Sequence, residues 1–528
     1  MKKIICISCF FFFHQFVTAQ SAIDVLHYKF EIGVNDQNDT LKGTATIRFI
    51  VKDWKESVSF DLTGVNKEGK GMIVERAGFS DDHFRSSFLQ EGDKVRITPA
   101  TPLKNSDTFS VVINYKGIPS DGLIISKNKH GDRTFFSDNW PDRAHNWIPC
   151  KDEPGDKATF EFIVKAPEKY SVISNGKKAE EKISGSFKVS HWKEDIPLPT
   201  KVMAIGVATF AVTEYKDSPA GIPVSAWVFP QDSITGFRNY APAPSILKFF
   251  SGYIAPFPYN KLANVQSKTI FGGMENASCI FYDESSATST RSVESLLAHE
   301  IAHQWFGDMA TEKSFPHLWL SEGFATYMTH IYIEHKYGTD SMNNEMKADR
   351  RQIAAYSKIA NRPVVDSISQ LMQLLNPNSY QRGGWVLHML RRQLGDTVFH
   401  RIIRSYYEKY KGSNADTRDF EKVAENVSGK NLDTFFNQWL YRPDIPWLKT
   451  GWTYSGTEKQ IIISVEQVQS TAAFHFPLDI RINAIQGKPA YHSFYINEKK
   501  KLFFIPASAK PDSVTIDPFI SLLYEEKN

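Results

Sequence analysis

Val293-Glu294-Ser295-Leu296-Leu297-Ala298-His299-Glu300-Ile301-Ala302-His303-Gln304-Trp305-Phe306 is the stretch that decides how this chain folds around its chemistry. Its apolar residues recur at helical spacing, and Gly307-Asp308 ends the run, so the pattern predicts a helix over 293–306. Inside it stands H-E-x-x-H. With 3.6 residues per turn, His299 and His303 lie one turn apart on one face, where both imidazoles can reach a single ion. Zinc takes nitrogen and oxygen ligands in a tetrahedron, and a catalytic zinc keeps three protein ligands and one open position. A third ligand is therefore required. Glu322, nineteen residues beyond His303 in Trp319-Leu320-Ser321-Glu322-Gly323-Phe324-Ala325, supplies it if the chain turns at Pro316 and lays a second helix beside the first. Gly323 would permit a close backbone approach there. Two histidines four apart are by default surface or satisfied core residues. The acid between them, the helical context and Glu322 outweigh that reading and imply one zinc ion on His299, His303 and Glu322.

Glu300 is about 100° around the helix from His299, so it cannot share the ion with both histidines. It is placed to act as general base, taking a proton from the attacking water and passing it to the leaving amine. These residues by themselves describe a zinc hydrolase.

Outward from this helix, the chain divides by periodicity. From Ile23 to about Thr213 apolar residues alternate, as in Leu41, Gly43, Ala45, Ile47, Phe49 and Val51, which predicts a mostly antiparallel β domain. Gly221-Ile222-Pro223 and Pro230 mark a boundary region. From about Ser245 the pattern is helical, with helices expected at 293–306, 319–337, 383–394 and 399–409. After Pro443 and Pro446 alternation returns at 461–465, 478–482, 492–496, 502–505 and 514–516, which predicts a small β-sandwich.

With 528 residues, 41% of them hydrophobic, the chain can bury large cores in more than one domain. Its 62 basic and 59 acidic side chains nearly cancel, so no strong field attracts nucleic acid or an anionic membrane. Met1-Lys2-Lys3, the apolar run Ile4 to Phe13 and Val17-Thr18-Ala19 read as a signal peptide over 1–19, cut after Ala19. The run is too short to span a bilayer, where about twenty residues are needed. The expectation is a secreted or periplasmic protein with no stable membrane anchor. Cys6 and Cys9 leave with that segment. Cys150 and Cys279 remain, either as one disulfide or as two buried thiols, and the second reading is preferred because a domain of this size needs no disulfide.

Gly272-Gly273-Met274-Glu275-Asn276 and Tyr380-Gln381-Arg382-Gly383-Gly384, taken with the zinc motif, resemble the gluzincin aminopeptidases, the family of aminopeptidase N and the leukotriene-hydrolase branch. The likeness extends to Ile148-Pro149-Cys150-Lys151-Asp152-Glu153-Pro154 and Asn437-Gln438-Trp439-Leu440. The resemblance implies peptide substrates with a free N-terminus. It makes Glu275 the anchor of their α-amino group, lets Gly272, Gly273, Met274 and Asn276 line the bound peptide, and makes Tyr380 the donor to the oxyanion. Periodicity and resemblance together predict a multidomain α+β fold: a signal peptide at 1–19, an N-terminal antiparallel β domain at 20–213, a thermolysin-like, mainly α catalytic domain at 214–442, and a C-terminal β-sandwich at 443–528. The chain departs from the family pattern in three places. Arg382 replaces a lysine. Trp140 stands where many relatives carry a glutamine or glutamate that touches the substrate amine, with Asp138 nearby as a candidate substitute. The chain also ends in β pattern, without the large helical domain of many relatives. Two other enzyme readings are a thermolysin-like endopeptidase, which needs no amine anchor, and an epoxide-hydrolase side activity, suggested only by Gly272-Gly273. A non-catalytic binding module would require a lost ligand, base or anchor, and none is lost.

Overall fold

In the computed structural model, residues 23–81, 83–484 and 488–527 are described; the leader expected at 1–19 lies outside them. The alternation of the first part becomes a seven-stranded sheet. Its order is Lys177–Ser184, Phe187–Leu198, Ala158–Pro167, Ile23–Gly33, Leu41–Val51, Thr108–Ile118 and Gly71–Phe79. Neighbours pair antiparallel except Ile23–Gly33 with Ala158–Pro167, which run parallel across the middle. Along Leu41–Val51 every second residue is buried, so one face meets the core and the other meets solvent. Gly43 is paired with Tyr115, and a methyl group there would lie 2.2 Å from Tyr115 Cζ. The glycine lets the aromatic ring lie across the strand.

The next part opens with a sheet that periodicity does not foretell. Its order is Ala211–Glu214, Val224–Val228, Leu262–Ser267, Cys279–Asp283 and Gly273–Met274, with the three inner strands parallel. Every residue of Leu262–Ser267 is buried, because helices or other strands cover both faces, and such a strand does not alternate. The expected division at 213/214 falls within the first of these strands. Gly273–Met274 is the antiparallel edge strand, and it borders the cavity described below.

Ten helices follow or flank this sheet among the described residues: α1 (Ser233–Tyr240), α2 (Ala243–Tyr253), α3 (Glu284–Thr288), α4 (Glu294–His303), α5 (Trp319–Tyr337), α6 (Thr339–Ser357), α7 (Gly383–Leu394), α8 (Asp396–Tyr410), α9 (Thr417–Ser428) and α10 (Asp433–Phe436). Residues Trp319 to Ile333 of α5 are all buried, so this helix is the axis of the helical part. A helix hydrophobic on every side must be surrounded. α4 and α7 both pack on it.

The chain ends in two further sheets. One has the order Lys500–Pro506, Gln460–Gln467, Trp447–Ser455 and Glu525–Glu526; the other has Ala490–Ile496, Phe476–Asn483 and Ser513–Ile516. Phe494 and Phe503 stack with ring centroids 4.0 Å apart, one from each sheet. The expected succession of β sheets, helical region and C-terminal β strands is therefore present. Cys150 and Cys279 are both buried free thiols. Among the described residues no helix is long and apolar enough to cross a membrane.

Candidate active site

α4 and α5 run antiparallel, because the Tyr332 hydroxyl near the C-terminus of α5 donates to Glu294 Oε1 at the start of α4 (2.5 Å), and Lys336 pairs with the same carboxylate. This places Glu322, in the first turn of α5, beside the last turn of α4. His299 Nε2 and His303 Nε2 are 3.1 Å apart, and each is 3.3 Å from Glu322 Oε2. Metal bonds of about 2.05 Å in a tetrahedron would separate ligand atoms by about 3.3 Å, so the three donors fit one small divalent ion. His303 Nδ1 is 3.1 Å from the Phe306 carbonyl, which can only accept, so Nδ1 keeps its proton and Nε2, facing the other two donors, is the nitrogen that would give up its proton to bind an ion. Ser321 Oγ, 3.0 Å from the same Nδ1, fixes the ring further. The turn after α4 depends on Gly307 at φ 121°, where a methyl group would lie 2.3 Å from Ser321 Oγ.

Electrostatics give the same answer. Burial alone would lower the His303 pKa, yet the surrounding carboxylates, Glu322 first, hold it up to about 10. Burial lowers His299, despite its hydrogen bond to Glu322. Burial lifts the Glu300 carboxyl well above its usual range, and Glu275 and Glu322 add to the rise. Against burial, the histidines hold the Glu322 carboxyl below its usual range, whereas Glu300 resists ionisation there, and a cation would relieve that resistance.

Glu300 projects from α4 against the edge strand. A methyl group on Gly273 would lie 2.2 Å from Glu300 Oε1, so this glycine makes room for the carboxylate. Glu275, Glu300 and His303 offer ligand atoms all within 4.8 Å of one another. Glu275 is 5% exposed, and its Oε1 has no hydrogen-bond partner among the described residues. A buried carboxylate oxygen without a donor is costly unless a ligand supplies one. Gln304, the residue after His303, secures the backbone behind it. Its Nε2 donates to the Glu275 carbonyl (2.9 Å) and to Asp308 Oδ2 (3.0 Å), and its Oε1 accepts from the Ser278 N–H (2.7 Å).

Tyr380 lies on a π turn over Asn378–Arg382, and its ring stacks on His299 with centroids 5.9 Å apart. Burial raises its hydroxyl pKa well above the usual value, so it is a proton-bearing donor. Arg382 acts as a structural tie. It is fully buried and donates to the carbonyls of Arg442 (2.7 Å), Pro443 (2.9 Å) and Asp444 (2.9 Å), which fastens the turn to the start of the C-terminal part.

All these groups open on one cavity of about 450 Å³. Gly272, Gly273, Met274, Glu275, His299, Glu300, His303, Glu322 and Tyr380 line it; Asn276 does not, being fully buried behind Glu275. Trp140 is part of the wall and meets Phe271 and Phe315 edge to face. Asp138 is not. It accepts from the Ile270 N–H (3.1 Å) and pairs with Arg143 (3.1 Å), so it braces the segment before Gly272 from behind. Residues that sequence reasoning missed complete the lining: Leu296, Thr326, Thr329, His330, Asp349 and Gln381 among them. The spacing of Glu322, Thr326, Thr329 and His330 along one face of α5 was the available signal.

The profile of the Peptidase family M1 domain matches residues 240–439, and that of the Peptidase M1 N-terminal domain matches residues 25–202. The chain is 31% identical to Aminopeptidase M1-C of Oryza sativa subsp. japonica over 325 residues, which is 57% of this chain and 36% of that one. It is 28% identical to Probable aminopeptidase 2 of Sulfurisphaera tokodaii over 490 residues, 88% of this chain and 58% of the relative. Glutamyl aminopeptidase of Homo sapiens is 25% identical over 472 residues, 84% of this chain and 49% of the human protein. The matched region thus spans between about a third and three-fifths of the length of these curated relatives. Two profiles of one family match successive parts of the sequence and together cover more than half of it: the chain belongs to the peptidase M1 family.

Proposed function

We propose that this protein is a zinc-dependent aminopeptidase that removes the first residue of peptides with a free N-terminus. The observation that carries the reading is Glu275: a buried carboxylate with an unpartnered oxygen, in the same cavity as the three convergent donors of His299, His303 and Glu322. A substrate ammonium paired with that oxygen fixes the register, so only the first peptide bond reaches the metal site. Zinc held by the three donors would polarise the scissile carbonyl and make water a better nucleophile at neutral pH. Glu300, its carboxyl lifted by burial, takes the proton from the attacking water and delivers it to the leaving amine. Tyr380 donates its O–H to the oxyanion that develops. Gly273 and Met274 offer an edge strand to the peptide backbone, and Gly272 lines the cavity just before it. On this reading the helical part is a thermolysin-like catalytic unit between a β domain and a β-sandwich, and residues 1–19 export the enzyme.

The test compares leucine p-nitroanilide with its N-acetylated form, with and without chelator. We expect one zinc per chain and cleavage of the free form at least about a hundredfold faster, since the blocked form cannot pair with Glu275. Activity should be lost to the chelator and restored by zinc. Equal cleavage of both forms would instead identify an endopeptidase.

A further inference from the structure

The cavity continues past the metal donors to a second polar pair. Glu275 adjoins His303, at the C-terminal end of α4, whereas Ser295 and Leu296 line the cavity at the N-terminal end of the same helix. Because α5 runs antiparallel, its Thr326, Thr329 and His330 extend the wall in that same direction, away from Glu275. His330 is 6% exposed, as is Asp349 of α6, and His330 Nε2 lies 2.8 Å from Asp349 Oδ2. Both residues line the cavity.

The pair leaves two atoms open. His330 Nδ1 is buried and has no hydrogen-bond partner among the described residues. Asp349 Oδ1 likewise receives no donor among them, and no lysine or arginine lines the cavity. Asp349 can only accept, so it takes the hydrogen bond from the N–H of His330 Nε2 and keeps Oδ1 as an acceptor beside the unpartnered Nδ1. Their complement is a donor carrying positive charge. Its distance is set by α5. Eight residues separate Glu322 from His330, about 12 Å of helix at 1.5 Å per residue. Allowing roughly 3.5 Å for the backbone step beyond the scissile carbonyl, only a long side chain on the next residue spans the rest.

We propose that Asp349 and His330 form an acidic subsite for the side chain of the second residue, and that peptides with arginine or lysine in that position are the preferred substrates. This rests on the aminopeptidase reading, with Glu275 holding the amine. The threonines at 326 and 329 flank the path without charge; the Thr329 hydroxyl is already given to the Ala325 carbonyl (2.8 Å).

The experiment measures kcat/KM for Leu-X-Gly tripeptides in which X is arginine, lysine, leucine or glutamate, beside leucine p-nitroanilide. For the wild type, arginine and lysine should exceed leucine by about tenfold, with glutamate slowest. Asp349→Asn should bring the arginine-to-leucine ratio close to one, and Asp349→Lys should favour glutamate; a ratio cancels any general loss of activity. As a measurement that needs no variant, Leu-Arg-Gly should compete against anilide hydrolysis by the wild type about tenfold more strongly than Leu-Leu-Gly, since both carry the same first residue. Cleavage of all four peptides at similar rates, or a preference for glutamate, overturns the subsite. Failure to cleave the anilide and every peptide overturns the aminopeptidase reading instead.

Discussion

A methyl group at residue 273 would lie 2.2 Å from Oε1 of Glu300 and 2.4 Å from its Cδ, closer than any non-bonded contact allows. The neighbour that must yield is the proposed general base, while the metal donors lie elsewhere on α4 and α5. Gly273→Ala should therefore lower kcat/KM on the order of a hundredfold, the effect of misplacing a proton-transfer group, and leave the zinc content near one per chain. Turnover and metal analysis of the same preparation check this. A variant that keeps full activity would remove Glu300 from the mechanism. At this scale the sequence was most informative where residues act within one motif: His299, Glu300, His303 and Glu322 could be named from spacing, and Glu275 and Tyr380 from resemblance. Ser321, Gln304, His330 and Asp349 were not, because each acts through a partner that only the tertiary fold brings near. Serine and glutamine at such positions carry no periodic signal, and Asp349 lies on another helix; only His330 shares a face with Glu322, Thr326 and Thr329.

Helices were legible in proportion to their length and pattern. α5 and α7 begin and end where apolar spacing puts them, and α8 extends the expected run by three residues at its start and one at its end. The five-stranded sheet was missed because strands buried on both faces show neither alternation nor helical spacing. What the pattern also concealed is how tightly the elements approach. A methyl group on Gly323 would lie 2.8 Å from Cα of Gly383, so α5 and the first turn of α7 touch through their backbones. This contact positions both the Glu322 carboxylate, one residue before Gly323, and the π turn bearing Tyr380. Gly323→Ala forces the two apart, and overpacking of this kind costs about 1–3 kcal/mol. The expected result is a lower unfolding midpoint together with weaker zinc retention against a chelator, because the third ligand moves with the helix. Loss of stability with unchanged zinc retention would mean that Glu322 is held by α4 alone.

At the scale of the whole molecule, the N-terminal β part and the helical part meet across buried charges. Lys201, 1% exposed, pairs at 2.5 Å with Glu312, which is fully buried, 111 residues further along. Beside it Lys157 donates to the carbonyls of Asp308 (3.2 Å) and Met309 (2.8 Å). The two partners of the ion pair respond differently. Burial would lower the Lys201 ammonium, but Glu312 and then Glu275 hold it above its ordinary pKa; burial lifts the Glu312 carboxyl even with Lys201 in contact. A carboxyl that remains raised beside a lysine has lost more hydration than the pair returns, so the interaction registers the two parts without adding much net stability. That distinction has a measurable consequence. Glu312→Gln strands a buried ammonium and should cost about 3–5 kcal/mol, whereas Lys201→Met with Glu312→Leu removes both charges and should restore most of that loss. Chemical denaturation of the wild type, Lys201→Met, Glu312→Leu and the variant carrying both gives the coupling directly. A double variant as unstable as the singles would show that the ion pair itself, with its geometry intact, holds the β part against the catalytic helices.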